Sequence, residues 1–236
     1  MNIAIVIAGG VGSRMGANLP KQFIKVKGKP VLAYTLQSLQ SHPLVDAIEV
    51  VCINGWQDDV WAYKEKYGID KLKWITTGGA SGQESIRNGV YNLKDKVNPN
   101  DNIIIHDGIR PLIDKTVVND ILDKCNKYGN GVTSMPYNEQ IFLVDDEIST
   151  IKYIPRETLR RVATPQAYKY ALLDEKYHEA FEKKIGIYGS SYTNTMMVEL
   201  GVRLYFAKGS DKNIKLTTPG DLQIFEAMIE KGEIDC

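Results

Sequence analysis

The sequence predicts an α/β fold built on a mostly parallel sheet, and three features lead there. A short run rich in β-branched residues, Asn2–Ala8, must be buried to be stable and ends in a glycine cluster. Strand-like and helix-like stretches then alternate along most of the chain, the order expected of βαβ units and of a sheet with helices on both faces. Two glycine-rich loops, one after Ala8 and one at Gly78–Ser85, sit where a strand hands over to a helix. In such sheets these loops gather at the carboxyl ends of the strands and face one crevice.

The first run leads into Gly9-Gly10-Val-Gly12-Ser-Arg14-Met-Gly16 and then Leu19-Pro20-Lys21-Gln22. Glycines let backbone N–H groups approach an anion closely, and Arg14 and Lys21 can neutralise charge that N–H groups could not offset alone. The stretch reads as a nucleoside triphosphate site. A P-loop would need a Lys-Ser/Thr pair after its last glycine, which Arg14-Met15-Gly16 does not supply. A dinucleotide fingerprint would need Gly or Ala where Met15 stands and an acid at the end of the second strand, but that strand ends at Ile53-Asn54.

Phe23–Val26 suggests a short strand or turn, and Pro30 in a first-turn position starts a helix through Leu39 with Val31, Leu32, Leu36 and Leu39 on one face. Ala47–Ile53 is a strand, Asp58–Tyr67 a helix, Lys73–Thr77 a strand, and Glu84–Leu93 a helix. The strand Asn102–Ile105 runs directly into His106-Asp107-Gly-Ile-Arg110-Pro111. Asp107 thus leaves the end of a buried strand, where a metal-binding carboxylate would reach a triphosphate, and where a helix cap or a partner for Arg110 would stand equally well. A helix over Lys115–Tyr128 and a strand over Gly131–Met135 follow. Gln140–Val144, the turn 145–147 and Ile148–Ile154 form a β-hairpin arm, within 137–157, whose two sides are both apolar. Such an arm is a candidate subunit contact, with packing on the chain's own body as the equal alternative.

The segment through Arg156 and Thr164-Pro-Gln166 returns to a helix over Lys169–Lys183, a polar loop over Gly186–Asn194, a helix at Thr195–Leu200 and a strand at Val202–Phe206. A closing helix runs through Glu230, started by Thr218 as cap, Pro219 early in the helix and Asp221 in its first turn. No linker-like break or repeat interrupts the 236 residues, so one domain over 1–236 is expected.

Lys plus Arg and Asp plus Glu number 29 each, so there is no global positive field for nucleic acid and no polybasic run for a membrane surface. No segment approaches the roughly 18 consecutive apolar residues of a membrane span. The N-terminus has no basic leader, and a cytoplasmic location is the expectation. Cys52, Cys125 and Cys236 match no metal or redox spacing and suit small apolar fillers and a tail thiol. His42 and His178 have polar sequence neighbours, and only His106 belongs to a motif.

Ala8-Gly-Gly-x-Gly-x-Arg14-Met-Gly16 with Pro20-Lys21-Gln22 resembles the cytidylyltransferases that activate polyol phosphates, among them the enzymes for 2-C-methyl-D-erythritol 4-phosphate and for ribitol 5-phosphate. The likeness continues through Gly78-Gly79-Ala80 with Ser85, His106-Asp107-Gly-Ile-Arg110-Pro111, Arg156 ahead of Thr164-Pro-Gln166, and Asn213-Ile-Lys215-Leu-Thr. It implies a Rossmann-like fold of the nucleotide-diphospho-sugar transferase type, CTP and a polyol phosphate as substrates, Mg²⁺ as cofactor and a homodimer. By the same likeness Arg14, Lys21 and Lys215 act on the triphosphate. Ala8, Gly9, Gly10, Gly12, Gly79, Ala80, Ser85 and Asp107 bind the nucleotide, and Asp107 also holds the metal. Arg110, Arg156, Thr164 and Thr193 bind the acceptor, Arg156 and Thr164 across a dimer interface formed by the hairpin.

The chain departs from the family pattern in three places. Gly82 stands where the base-binding loop usually has Arg. Thr193-Asn194, or Ser191-Tyr192 in the other register, replaces a Thr-Asp pair, so the acceptor carboxylate is missing. Lys212 replaces an Asp before Asn-Ile-Lys. CTP chemistry is expected to be retained, with the acceptor leaning toward ribitol 5-phosphate. A sugar 1-phosphate nucleotidyltransferase using UTP or GTP and a non-catalytic nucleotide-binding homologue are the alternatives.

Overall fold

The computed structural model describes residues 1–10, 19–189 and 192–232. Its strands are β1 (Asn2–Ala8), β2 (Lys25–Val26), β3 (Lys29–Pro30), β4 (Ala47–Cys52), β5 (Leu72–Thr77), β6 (Asn102–Asp107), β7 (Asn130–Pro136), β8 (Ile141–Leu143), β9 (Lys152–Ile154), β10 (Arg160–Lys169) and β11 (Phe206–Lys208). The α-helices are α1 (Val31–Gln40), α2 (Gln57–Tyr67), α3 (Gly82–Asn92), α4 (Lys115–Tyr128), α5 (Tyr170–Lys183), α6 (Thr193–Glu199) and α7 (Pro219–Glu230).

Seven strands form the central sheet in the order β11-β7-β10-β6-β1-β4-β5. β1 lies parallel to β4 and β6, and β11 lies parallel to β7. β10 alone runs against its neighbours β6 and β7, so the expected mostly parallel sheet is present with one reversed strand. Alternation along β1 divides the core. Ala4, Val6 and Ala8 face α1, α2 and α4 on one side, whereas Ile3 and Ile5 face α3, α5 and α6 on the other. On the second face α3 lies close to the sheet because Gly89 has no side chain. A Cβ there would stand 2.7 Å from Val51 Cγ2 and 2.9 Å from Ile5 Cγ2.

Several expectations need correction. The return segment before α5 is a ten-residue strand, β10, at the centre of the sheet. Its Pro165 argues against a central strand in sequence, since proline cannot donate to a ladder. The ladder to β7 shifts register between Val162 and Gln166, around Pro165, and the Pro165 carbonyl accepts from Thr133 Oγ1 at 2.6 Å. Val202–Phe206 is not the last strand. Val202 N–H bonds to the Met197 carbonyl at 2.8 Å, closing α6, and the ladder to β7 starts where the Tyr205 carbonyl accepts from Val132 N–H at 2.9 Å, leaving Phe206–Lys208 as the strand. The hairpin's second arm shrinks to β9 because aspartates take its earlier amides: Asp146 Oδ1 accepts from Ile148 and Ser149, and Asp145 Oδ2 from Ile151. Pro30 is the cap of α1 rather than a first-turn residue, and α3 begins two residues before Glu84, with Ser81 as its cap. The start of α7 is as expected, with Thr218 accepting from Asp221 N–H. His42 is buried despite its polar neighbours in sequence. Cys52 and Cys125 are buried, and burial pushes both thiols up to about 12. Cys236 lies outside the described residues.

Candidate active site

The carboxyl ends of β1 and β6 open into a cleft of about 910 Å³ that is also lined by residues of the loop before α3 and of the start of α6. The two glycine loops meet at its floor. A Cβ on Gly9 would lie 3.2 Å from Ser85 Oγ, and one on Gly78 would lie 3.1 Å from the same atom and 3.3 Å from Gly9 Cα. Ser85 is buried, and its hydroxyl is committed to the loop itself. It accepts from Gly79 N–H at 3.0 Å and donates to the Ser81 carbonyl at 2.9 Å. Ala80 N–H is likewise taken, by Glu84 Oε2 at 2.8 Å. This fold of the loop demands glycine at 79, because a Cβ there would fall 2.3 Å from Glu84 Cβ.

Gln22 holds the chain at the end of β1, where the other glycine loop begins. It is 1% exposed, and its Nε2 donates to the Ala8 carbonyl at 2.7 Å and the Gly10 carbonyl at 3.0 Å. The 3-10 turn Lys21–Phe23 carries it there, anchored by Phe23 stacking on Trp56 at 4.1 Å between ring centroids. Lys21 lines the cleft beside it. Arg14 and Gly12, both expected in this site, lie outside the described residues.

The charged centre of the cleft lies at the end of β6. Asp107 Oδ2 receives Arg110 Nε at 2.9 Å and Lys215 Nζ at 3.2 Å. Burial would raise the Asp107 carboxyl, but Lys215 and then Arg110 outweigh it and hold it at about 2. Arg110 donates onward to the Asn213 carbonyl at 2.7 Å, and Asn213 Nδ2 donates to the Thr164 carbonyl at 2.7 Å. Thr164 Oγ1 accepts from Asp107 N–H at 3.1 Å. Asp107 is therefore the partner of Arg110 that the sequence allowed, and it also lines the cleft. His106 points into the protein, and burial lowers its imidazole to about 4, so it is neutral. Its Nε2 lies 2.9 Å from the Arg110 carbonyl.

Lys215, Asp107, Arg110, Thr164, Thr193, Ala8, Gly9, Gly10, Gly79, Ala80, Ser85 and Lys21 all line the one cleft. Arg156 does not. It stands on the 3-10 turn Arg156–Thr158 beside the hairpin, with Glu157 Oε1 at 3.5 Å, and lines a separate cavity of about 450 Å³ with Phe142 and Tyr153. Tyr192 was missed as a site residue, although its ring centroid lies 5.9 Å from Lys215 Nζ. Gln22 and Gln83 were missed as well; the first was visible only as part of a motif, and the second has no local signal. Asp107 is the one carboxylate lining the cleft among the described residues. A single carboxylate suits Mg²⁺, which takes one or two protein oxygens and fills its octahedron with phosphate oxygens and water.

Comparison with known proteins agrees with this fold. The family model described as IspD, 2-C-methyl-D-erythritol 4-phosphate cytidylyltransferase, matches residues 2–231. A ribitol-5-phosphate cytidylyltransferase of Lacticaseibacillus paracasei is 55% identical over 99% of this chain and 100% of its own. A 2-C-methyl-D-erythritol 4-phosphate cytidylyltransferase of Clostridium acetobutylicum is 36% identical over 99% of this chain and 100% of its own. The crystal structure of 4-diphosphocytidyl-2C-methyl-D-erythritol synthase from Anaerococcus prevotii superposes with a TM-score of 0.81 over 97% of this chain and 96% of that one, at 21% identity, a likeness of fold. With a glycine-loop cleft of this form and matches that run nearly end to end, the chain belongs to the 2-C-methyl-D-erythritol 4-phosphate cytidylyltransferase (IspD) family.

Proposed function

We propose that this protein transfers the cytidylyl group of CTP to an alditol phosphate, with ribitol 5-phosphate as the acceptor. The observation that carries the choice of acceptor is the 55% identity, over the full length of both chains, to a ribitol-5-phosphate cytidylyltransferase. The cleft supports the chemistry. An oxygen of the acceptor's phosphate attacks the α-phosphorus of CTP, a P–O bond forms, the bond to the β-phosphate oxygen breaks, and pyrophosphate leaves with the electron pair. The attacking oxygen is already ionised, so no general base is needed. Asp107, held at about 2 by Lys215 and Arg110, would be a poor one.

The residues have electrostatic and positioning roles. Lys21 and Arg14 neutralise the triphosphate, and Lys215 stands where negative charge builds on the α-phosphate oxygens. The loop Gly78–Ser85 receives the cytosine, with Ser85 shaping the loop from beneath. Asp107 would hold Mg²⁺, which when bound neutralises charge on the phosphate oxygens. Thr164 and Arg110 serve the acceptor side.

The hairpin arm is the dimer contact in this reading. Phe142, Val144, Ile148, Ile151 and Tyr153 are all exposed on it, with Ile148 96% and Ile151 93% exposed. An arm reaching a second subunit would bring Arg156, which is outside its own chain's cleft, toward the partner's acceptor site. No helix among the described residues is long and apolar enough to cross a membrane, in keeping with a cytoplasmic enzyme. The test is product analysis with CTP, UTP and GTP offered separately, with Mg²⁺ and an alditol phosphate. CDP-alditol and pyrophosphate are expected from CTP alone, and preference for UTP or GTP would overturn the reading.

A further inference from the structure

Beneath the acceptor side of the cleft, residues far apart in sequence form a hydrogen-bond chain with a fixed direction. Gln83 in the first turn of α3, Tyr177 in α5 and Thr193 at the start of α6 are all buried. Gln83 Nε2 donates to the Gly186 carbonyl at 2.6 Å, which sets the amide so that Oε1 is the acceptor facing α5. The Tyr177 phenol donates to that Oε1 at 3.0 Å. A phenol has one proton to give, so the 2.8 Å contact between Tyr177 and Thr193 Oγ1 must have the threonine hydroxyl as donor. Burial raises the Tyr177 phenol above its ordinary value, which keeps its proton in place across the working pH range.

The consequence reaches the cleft, which Thr193 lines. Its single hydroxyl proton points inward to Tyr177, so toward a ligand it can offer only lone pairs. A phosphate dianion, which has no proton to give, is repelled there, whereas an alcohol hydroxyl is a suitable donor. We infer that Thr193 is a polarity-set acceptor that selects a donating hydroxyl of the alditol chain, with Tyr177 and Gln83 as the positioning residues that turn its proton away. This rests on the functional reading above, and it assigns Thr193 to the polyol hydroxyls rather than to the phosphate. It also supplies a neutral means of recognising a hydroxyl in a segment that lacks the family's usual carboxylate.

The experiment compares ribitol 5-phosphate with its monodeoxy and monodeoxyfluoro analogues at each free hydroxyl, using CTP and the wild-type enzyme. Fluorine can accept but not donate. At one position both replacements are expected to lower kcat/KM for the acceptor by about 10-fold or more, with KM for CTP unchanged. Thr193→Val should cause a loss of similar size on ribitol 5-phosphate and no further loss on the analogue at that position. Tyr177→Phe frees the threonine proton, so the preference for hydroxyl over fluorine there should shrink to less than about 3-fold. Equal use of the fluoro and hydroxyl compounds at every position by the wild-type enzyme would overturn the inference without any variant having to fold. An undiminished preference in a folded Tyr177→Phe would overturn it too. Absence of pyrophosphate release with CTP and every alditol phosphate is a different result, and it would remove the functional reading and this inference together.

Discussion

Lys215 Nζ lies 3.2 Å from Asp107 Oδ2 in the cleft, bringing together residues 108 positions apart in the chain. The pair sets the electrostatics of the site, because Lys215 together with Arg110 keeps Asp107 ionised, and in the proposed reaction the Lys215 ammonium faces the reacting phosphates.

Lys215→Ala should therefore lower kcat by about 10²–10³-fold, the loss typical of one charge-stabilising group in an active site. Thermal stability should change little, since Arg110 still pairs with Asp107 at 2.9 Å. Steady-state pyrophosphate release beside a melting curve checks both, and near-normal turnover would remove Lys215 from the chemistry.

The acid side of the pH–rate profile should not belong to Asp107. Its folded value near 2 is depressed, so its contribution is complete above the ordinary carboxyl value near 3.8 and is lost only as pH falls toward 2. Loss of rate on acidification should instead follow the acceptor's own phosphate, with an apparent value of about 6. Profiles with acceptors of different phosphate acidity check this, the acid limb moving with the acceptor.

The loop Gly78–Ser85, proposed to receive the cytosine, offers a paired test. Gly79→Ala places a Cβ 2.3 Å from Glu84 Cβ and must displace the loop, whereas Gly82 has no atom within 4 Å of its Cβ position. Calorimetric titration should show CTP affinity falling by about 10-fold or more for Gly79→Ala, a loss of at least about 1.4 kcal/mol. Gly82→Ala should bind normally. Equal binding by both would mean that the loop does not hold the nucleotide.

Glu49 lies buried in β4, its Oε1 accepting from Asn92 at 2.8 Å and its Oε2 without a hydrogen-bond partner. Burial drives its carboxyl up to about 8, against the opposing pull of Asn92 and Lys96. The folded protein thus keeps a proton that the unfolded chain releases. Stability is fully present below about pH 4.5 and declines as pH rises toward 8, by at most about 1.4 kcal/mol per unit. Glu49→Gln removes that slope, so its Tm should exceed the wild type's at pH 9 by more than at pH 6. Parallel Tm curves would contradict the assignment.

The dimer proposal predicts that Ile148→Asp with Ile151→Asp yields a monomer in sedimentation and loses acceptor affinity, because the partner's cleft loses its Arg156. A wild-type monomer at working concentration would refute it.

The sequence made legible what depends on local pattern. β1 and its glycines, the alternation of strands and helices, and the Thr218–Asp221 cap all follow from periodicity and residue chemistry within a few positions. β10 escaped because Pro165 masks a central strand and only the register shift beside β7 accommodates it. Within the site, Asp107, Lys215 and Lys21 were visible through motifs. Gln22 as a clamp and the Gln83–Tyr177–Thr193 chain were not, since each depends on contacts between separate elements that no spacing encodes. The hydrogen bonds of Ser85 within its own loop, to Gly79 N–H and the Ser81 carbonyl, were likewise not visible in the motif.

The most direct measurement is the rate of pyrophosphate release from CTP and Mg²⁺ with ribitol 5-phosphate beside 2-C-methyl-D-erythritol 4-phosphate. The expected result is turnover with ribitol 5-phosphate at a kcat/KM at least about 10-fold higher, a difference of about 1.4 kcal/mol in transition-state binding. Equal or greater use of 2-C-methyl-D-erythritol 4-phosphate would contradict the choice of acceptor, and no release with either would contradict the reaction itself.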